Sequence, residues 1–254
     1  MKNIKNSRFL FSITGLLAII VSWQSILMLK LVEPILLPYP EKVFFELIQF
    51  FTTKSFWLDL LNTTSAWIVG LIGGIVLGVS IGLLLALNEK IWFIFEPIVE
   101  FLRSLPSIVL VPLISLFLGV GINSKISCVI IVVAVTIIST IGISIRGINI
   151  TYKRLQTAWK LSLIDKLRHI YLPEIASHLL VAIKASIPLA LIVAVASDML
   201  IATDNGIGKI ITDSMAVFDT KKMYAAIIVV GFLGYISAKL STFIENSFIH
   251  WKGK

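Results

Sequence analysis

Long uncharged apolar runs constrain the fold of this chain more than any other feature. A helix that crosses a bilayer needs about 20 predominantly apolar residues. Four uncharged runs reach that length: Phe9–Leu29, Leu60–Leu87, Ser104–Ser124 and Ile126–Ile145. Two further apolar segments are shorter or interrupted by charge: Ala185–Ser197, and Met223–Ala238 with its continuation past Lys239 to Ile244. Because a lysine near a helix end can extend its charge to the interface, we count six spans.

The composition excludes most other classes. Of the 254 residues, 57% are apolar and 14% are charged, whereas a soluble domain has about 25% charged residues. Disorder, a collagen-like fibre and a soluble globule are therefore excluded. The single cysteine, Cys128, rules out an intramolecular disulfide framework and a cysteine-rich metal site. Phe9–Leu29 is longer than a signal-peptide core and lacks a small-x-small cleavage site, so we expect a retained helix.

These patterns predict an all-α, polytopic membrane protein with one domain over residues 1–254. The expected spans are approximately 9–29, 62–87, 92–119, 126–145, 178–202 and 223–244, with a cytoplasmic loop at 146–173.

The charge distribution predicts the orientation. The net charge of +8 fits nucleic-acid binding or cytoplasmic membrane loops, and the hydropathy favours the loops. With the amino terminus inside, the inner segments hold Lys2, Lys5, Arg8, Lys90, Arg146, Lys153, Arg154, Lys160, Lys166, Arg168, Lys252 and Lys254. The outer segments hold Lys30, Lys42, Lys54, Lys125, Lys209, Lys221 and Lys222. The larger inner set places both termini in the cytoplasm.

Glycines and prolines distinguish the second and third spans. Gly70, Gly74 and Gly78 form two G-x-x-x-G pairs, which favour close helix packing in lipid, although glycine is also simply frequent in membrane helices. The third span contains Pro97, Pro106 and Pro112, expected to kink or break it. A broken helix at membrane depth is tolerated only beside protein or a water-filled cavity, which indicates a pathway lining.

Two segments outside the spans have amphipathic patterns. Pro38–Asp59 predicts an extended entry followed by a helix with Val43, Phe44, Leu47 and Phe51 on one face. The cytoplasmic segment Arg146–Pro173 predicts a helix with a basic face, and its apolar residues are Leu155, Trp159, Leu163, Leu167 and Ile170. This second helix either lies on anionic lipid or docks a cytoplasmic partner.

Placing an ionisable residue within a membrane span costs free energy, so such a residue usually has a function. Glu96, Glu100 and Arg103 share one helix face, so Glu100 and Arg103 can pair. For Glu96 we favour a structural salt bridge, and Arg103 we place near the pathway. Asp198 ends the fifth span, where we expect it to contact water at the outer surface.

No catalytic motif is present in the sequence. The three histidines, His169, His178 and His250, lack metal-ligand spacing. There is no G-x-x-x-x-G-K-[ST] phosphate loop and no G-x-S-x-G. We therefore expect a protein that is not an enzyme and that has no cofactor of its own.

Three stretches together resemble the membrane subunit of bacterial binding-protein-dependent ABC importers, and most closely the nitrate/sulfonate/taurine branch. Residues 97–106 carry the pattern P-x-x-E-x-x-R-x-x-P of that branch. Residues 169–173, His-Ile-Tyr-Leu-Pro, resemble the end of the coupling motif E-A-A-x-x-x-G-x(9)-I-x-L-P, with Lys160 at the glycine position. Asp198 followed by Gly206-Ile207-Gly208 resembles the acidic residue and G-L-G of the branch.

The resemblance implies an ABC type I importer permease (MetI-like) fold in the bacterial inner membrane. It implies a homodimeric permease assembled with two cytoplasmic ATPase subunits, which hold ATP and Mg²⁺, and with a periplasmic solute-binding protein. It implies no role for nucleic acid. Solute would cross by alternating access. The ATPase-coupling residues it implies are Ala158, Trp159, Lys160, Leu163, Asp165, Leu167, Leu172 and Pro173. For the pathway we single out Glu100, Arg103, Pro106, Pro188 and Asp198.

The main alternative is a standalone channel or an ion-coupled secondary transporter. It accounts for the intramembrane charges without a partner, but it leaves the coupling-type loop unexplained, and no inverted repeat is visible. A membrane scaffold without transport accounts for none of the proline breaks. Neighbouring genes for an ATPase and a secreted binding protein would favour the importer.

Overall fold

The computed structural model describes residues 2–148, 163–201 and 205–248, and every regular element in these ranges is helical. The helices are α1 (Lys2–Met28), α2 (Pro40–Thr52), α3 (Lys54–Ala86), α4 (Glu89–Ser104), α5 (Leu110–Leu118), α6 (Ile122–Arg146), α7 (Leu172–Leu200), α8 (Ile207–Ala216) and α9 (Thr220–Phe248). A 3₁₀ turn, Ser107–Val109, precedes α5. A helical turn, Leu163–Lys166, and a π-helical turn, Leu167–Tyr171, lead into α7.

Four of the described helices are long and apolar enough to cross a membrane. They are Lys54–Ala86, Ile122–Arg146, Ile175–Leu200 and Thr220–Glu245. A fifth span would be the bent pair of α4 with Ser107–Leu118, whose two parts meet at 93°. Within α1, the described apolar stretch is Leu17–Met28, which is shorter than a membrane span requires. A multi-pass membrane protein is therefore confirmed, and the count of six spans stays a prediction.

Helix α6 is the centre of the bundle. It packs most extensively on α3 and also contacts α4, α5 and α7. Its central residues, including Val129, Val133, Ile137 and Ile141, are almost completely buried. Because α6 runs the length of the bundle, we name the two ends of the molecule after residues near its termini, the Lys125 end and the Arg146 end.

The glycine stripe of α3 sets the distance between α3 and α6. Gly70, Gly74, Gly78 and Gly82 are all buried. A Cβ added to Gly74 would lie 2.6 Å from the Cβ of Val133, so the helices could not approach as they do with any larger residue. The prediction of close packing through the G-x-x-x-G pairs is confirmed.

Adding one methyl group in this stripe should loosen the bundle. In Gly78→Ala the new Cβ would lie 2.7 Å from Ile137 Cβ and 3.0 Å from the backbone Cα of Ala134, so the helices must separate. We expect a lower thermal unfolding temperature in detergent by scanning fluorimetry. Gly231→Ala is the matched control, because nothing lies within 4 Å of its Cβ position, and it should gain up to about 1 kcal/mol of helix propensity. Equal unfolding temperatures for the two variants would contradict the packing assignment.

The segment before α3 folds partly as predicted. Tyr39 enters α2 in an extended conformation, and α2 packs Val43 and Phe50 onto Ala225, Ala226 and Val229. Of the four residues predicted for the apolar face, Val43 is buried and Leu47 packs against it, whereas Phe44 and Phe51 are exposed. The predicted face was wrong in part because α2 has apolar residues around most of its circumference, and only the face towards α9 is covered.

Candidate functional site

The break between α4 and α5 lies at Leu105 and Pro106. Both residues have extended ψ angles, 133° and 120°, because proline disfavours helical conformation in the residue before it and has no N–H to continue a helix. The predicted break at Pro106 is confirmed. Pro97 and Pro188, in contrast, lie inside continuous helices.

The proline in α7 leaves a carbonyl group that another helix satisfies. Pro188 cannot donate to the carbonyl of Lys184 one turn earlier. The Ser241 hydroxyl of α9 lies 3.3 Å from that oxygen and shares its hydrogen between it and the Ser237 carbonyl, which is at 2.9 Å. The Lys184 ammonium also pairs with Glu245. These contacts attach α9 to α7 beside the proline.

The acidic and basic residues of α4 lie next to α6. The Arg103 Nη1 is 3.6 Å from Glu100 Oε2 and donates to the Ser139 hydroxyl at 3.4 Å. The same hydroxyl donates to Glu100 Oε1 at 2.9 Å. The predicted Glu100–Arg103 pair is confirmed, and both side chains are about half exposed in the single chain, at 48% and 52%.

A second contact joins α4 to the Arg146 end of α6. The Trp92 indole is 2% exposed and lies on Gly142, where an added Cβ would be only 1.8 Å from the ring. The Arg146 guanidinium lies over the indole, 5.1 Å from its centroid, and its Nη1 is 2.5 Å from Glu96 Oε1. The structural salt bridge predicted for Glu96 is confirmed. These contacts hold α4 against the end of α6 that precedes residues 149–162.

A buried ion pair closes the Lys125 end. The side chains of Lys125 and Asp198 are both 0% exposed, and the Lys125 Nζ is 2.5 Å from Asp198 Oδ1. The same ammonium donates to Asn62 Oδ1 at 2.7 Å and to the Asn205 carbonyl at 2.6 Å. The ammonium is therefore held by two hydrogen bonds and by the ion pair with Asp198.

The carboxylate of this pair is also hydrogen-bonded on its other oxygen. Asp198 Oδ2 accepts from the Thr63 hydroxyl at 2.5 Å and from Gly208 N at 3.4 Å. Thr63 Oγ1 in turn accepts from Ile207 N at 2.9 Å, and Asp59 accepts from Gly206 N at 2.7 Å. Side chains from α3, α6 and α7 thus converge on the turn before α8.

Two glycines allow this convergence. Gly206 has φ +149°, a conformation that L side chains rarely adopt, and a Cβ there would lie 2.4 Å from Asp198 Cγ. A Cβ on Gly208 would lie 2.4 Å from the Val195 carbonyl. The acidic residue and the G-x-G that the sequence separates therefore form one cluster.

The expectation that Asp198 contacts water is wrong, and Lys125, counted among the outer segments between spans, lies buried within α6. Both residues stand at the ends of apolar helices, where a sequence pattern suggests an interface. In the fold, Asn62, Thr63 and the turn at 205–208 cover them from solvent.

Most of the predicted coupling residues lie outside the part of the chain that can be described. Ala158, Trp159 and Lys160 fall in residues 149–162, and the side chains of Leu163 and Leu167 also lie outside the described set. Asp165 is partly buried, and His169 Nδ1 is 3.2 Å from its carbonyl. Leu172 and Pro173 are exposed at the start of α7.

Comparison with known proteins decides the family. The model of the binding-protein-dependent transport system inner membrane component matches residues 74–249, which include the broken helix, the 146–173 segment, Lys125, Asp198 and the turn at 205–208. The chain belongs to this family. The permease is accordingly a membrane subunit of an ABC importer, and this membership favours the importer over the standalone channel or ion-coupled carrier.

Curated relatives extend along nearly the whole permease. It is 21% identical to the taurine transport system permease protein of Escherichia coli, over 94% of this chain and 89% of that protein. It is 25% identical to the formylaminopyrimidine transport permease protein of Halalkalibacterium halodurans, over 87% of this chain and 88% of the relative. The branch suggested by the sequence is confirmed.

Solved structures confirm the fold. A subunit of the inward-facing MetNI methionine ABC transporter matches with a TM-score of 0.56 and 18% identity, covering 73% of the permease and 94% of that chain. A chain of an amino acid ABC transporter matches with a TM-score of 0.59 and 15% identity, covering 75% and 92%. At these identities the likeness concerns the fold, the all-α type I importer permease fold.

Sequence reasoning missed several residues of the charge cluster in the permease, namely Asn62, Thr63, Asp59 and the pairing role of Lys125. One signal was available. Lys125 and Asp198 are single, opposite charges at the same predicted end of two apolar spans, and such charges within a membrane protein usually pair.

Proposed function

We propose that the permease works as one of two identical copies in a bacterial inner-membrane importer. Two cytoplasmic ATPase subunits would bind ATP and Mg²⁺, and a periplasmic binding protein would deliver the solute. This chain itself would hold no cofactor and perform no hydrolysis. The observation that carries the proposal is the family match over residues 74–249.

The names of the relatives supply the solute class. They are permeases of transport systems for taurine, formylaminopyrimidine, aliphatic sulfonates and nitrate. We infer that this permease transports a small solute of the sulfonate or taurine, nitrate or pyrimidine thiamine-precursor class from periplasm to cytoplasm by alternating access. The pathway would pass the break at Pro106, with Glu100, Arg103, Pro188 and Asp198 contributing to its wall or its closure.

The orientation follows from charge. Lys90 and Arg146 lie at the Arg146 end, and the basic segment Lys153–Arg168 follows α6 directly. Cytoplasmic loops carry the excess of Lys and Arg. We therefore assign the Arg146 end and both termini to the cytoplasm, and the Lys125 end to the periplasm.

The ATPase would dock on residues 153–173. This segment leaves α6 where Trp92, Gly142, Arg146 and Glu96 fasten α6 to α4. A push on the segment would therefore act on α6 and α4 together, and α4 leads to the break at Pro106.

Acidic substitutions on the predicted apolar ridge of this segment should abolish docking. In Trp159→Glu/Leu163→Glu, we expect at least about a tenfold loss of ATPase co-purification, because buried aromatic and aliphatic anchors carry most of the energy of an interface. Gln156→Glu adds negative charge off the ridge and should keep binding. Unchanged ATPase binding and solute uptake in the double variant would contradict the docking assignment.

A further inference from the structure

A pocket opens beside the break between α4 and α5, and we call it the break pocket. Its polar wall consists of Arg103, Ser107 and Thr136, and the rest is leucine and valine from α4, α5, α6 and α7. The pocket therefore combines one cation and two hydroxyl groups with an apolar surface.

The break pocket lies near the middle of the membrane-spanning bundle. Val132, Val135 and Thr136 form its α6 wall, and α6 extends from Ile122 to Arg146. At 1.5 Å per residue, Val132 is about 10 Å along the axis from Lys125, and Thr136 is about 15 Å from Arg146. The pocket is thus some 10–15 Å from either end of a helix that is longer than the hydrocarbon core.

Arg103 is incompletely engaged at this depth. Its Nη1 makes a 3.4 Å contact with Ser139 and a 3.6 Å contact with Glu100, whereas a guanidinium has five N–H donors. The side chain is 52% exposed in the single chain. A charge at mid-membrane does not face lipid but faces water or a partner group, so the exposed edge of the guanidinium needs a polar occupant.

We propose that the break pocket binds the oxyanion group of the transported solute, a small organic sulfonate. The planar guanidinium of Arg103 matches such a group with two parallel N–H donors. Ser107 lies in the same wall, the Thr136 hydroxyl donates to the Val132 carbonyl at 2.9 Å and leaves anion binding to Arg103 and Ser107, and the leucine and valine side chains fit a short hydrocarbon body. This inference rests on the proposed pathway past Pro106. It adds which chemical group of the solute the pathway binds and which residue binds it.

Cysteine labelling tests whether the break pocket favours anions, and it does not require the solute to be known. The only native cysteine, Cys128, is fully buried, so the unmodified chain provides the background. Ser107→Cys places a thiol in the pocket, and Ser55→Cys, at an exposed serine in α3, is the matched control. In membranes, each variant is treated with an anionic sulfonatoethyl methanethiosulfonate or a cationic trimethylammonioethyl methanethiosulfonate.

Arg103 should favour the anionic reagent in the pocket. We expect the anion-to-cation rate ratio at Ser107→Cys to exceed the ratio at Ser55→Cys by about tenfold, as expected for a nearby, poorly screened charge. The excess should disappear in Ser107→Cys/Arg103→Gln and persist in Ser107→Cys/Arg103→Lys. Propanesulfonate should slow the labelling of Ser107→Cys, and tetramethylammonium should not.

The negative outcomes separate the two proposals. Ser107→Cys could react with both reagents at the same anion-to-cation ratio as Ser55→Cys, whatever residue stands at position 103. That result would overturn anion recognition by Arg103 but would still support a water-filled pathway at the break. Reaction with neither reagent would overturn the pathway at the break as well. Thr136→Cys reports on the α6 side of the same pocket and decides the matter if Ser107→Cys does not fold.

Discussion

Replacing Lys125 by methionine should destabilise the permease by about 3–5 kcal/mol, because it leaves the Asp198 carboxylate buried without its counter-charge. Methionine has nearly the length of lysine, so the loss is one of charge and hydrogen bonding rather than of volume. Both side chains are fully buried, so the carboxylate is shielded from bulk solvent when the ammonium is removed. Thermal or denaturant unfolding in detergent measures the effect.

A second substitution tests whether the unpaired Asp198 charge causes the loss of stability. Asp198→Asn removes the uncompensated charge and keeps an oxygen that accepts from Thr63, so Lys125→Met/Asp198→Asn should recover most of the lost stability. Replacing both members of a buried pair is often neutral, whereas removing one is costly. Lys209→Met is the control, since Lys209 pairs at the surface with Asp213. If Lys125→Met unfolded like Lys209→Met, the ion pair would not hold the Lys125 end together.

Replacing Gly142 by alanine should uncouple ATP hydrolysis from transport. The new Cβ would lie 1.8 Å from the Trp92 ring, so the indole must leave its place and α4 must separate from α6. We expect uptake in the assembled importer to fall about tenfold or more, the loss associated with about 1.4 kcal/mol of coupling, while the ATPase still binds and hydrolyses ATP.

A smaller side chain at position 92 should compensate. In Gly142→Ala/Trp92→Leu the methyl group has space, so part of the uptake should return, although the cation–π contact with Arg146 is lost. Gly147→Ala serves as the control, because its Cβ position meets only ordinary contacts at 3.4 Å and beyond. Equal losses of uptake and ATPase binding in Gly142→Ala would mean that the contact supports folding rather than coupling.

The sequence predicted much of the fold, since its strongest signals are local. The apolar runs and the proline at 106 act within one helix or at the break between α4 and α5, and the glycine spacing marks a close-packing face of α3 without identifying α6 as its partner. Bilayer thickness and backbone geometry translate such patterns directly into spans, close packing and a break. The face of α2 was predicted less well, because Phe44, Phe45, Ile48 and Phe51 surround it with apolar residues and the pattern does not say which side is covered.

The charge cluster was beyond the sequence for a different reason. In the sequence, Lys125 and Asp198 are two unrelated residues at helix ends. Their burial depends on Asn62 and Thr63, which are far from both of them along the chain. The partner of Glu96 was hidden in the same way, since Arg146 looked like part of a basic loop. Long-range pairing is decided by how the helices pack, which no local pattern states.

Reconstitution tests the central claim most directly. The permease would be placed in liposomes with the ATPase and the solute-binding protein proposed as its partners, and uptake of the bound solute would be followed with and without internal ATP. We predict uptake that requires ATP, the binding protein and an ATPase competent for hydrolysis. Equal uptake without ATP or with a hydrolysis-deficient ATPase would contradict the assignment of this chain as the membrane subunit of an ATP-driven importer.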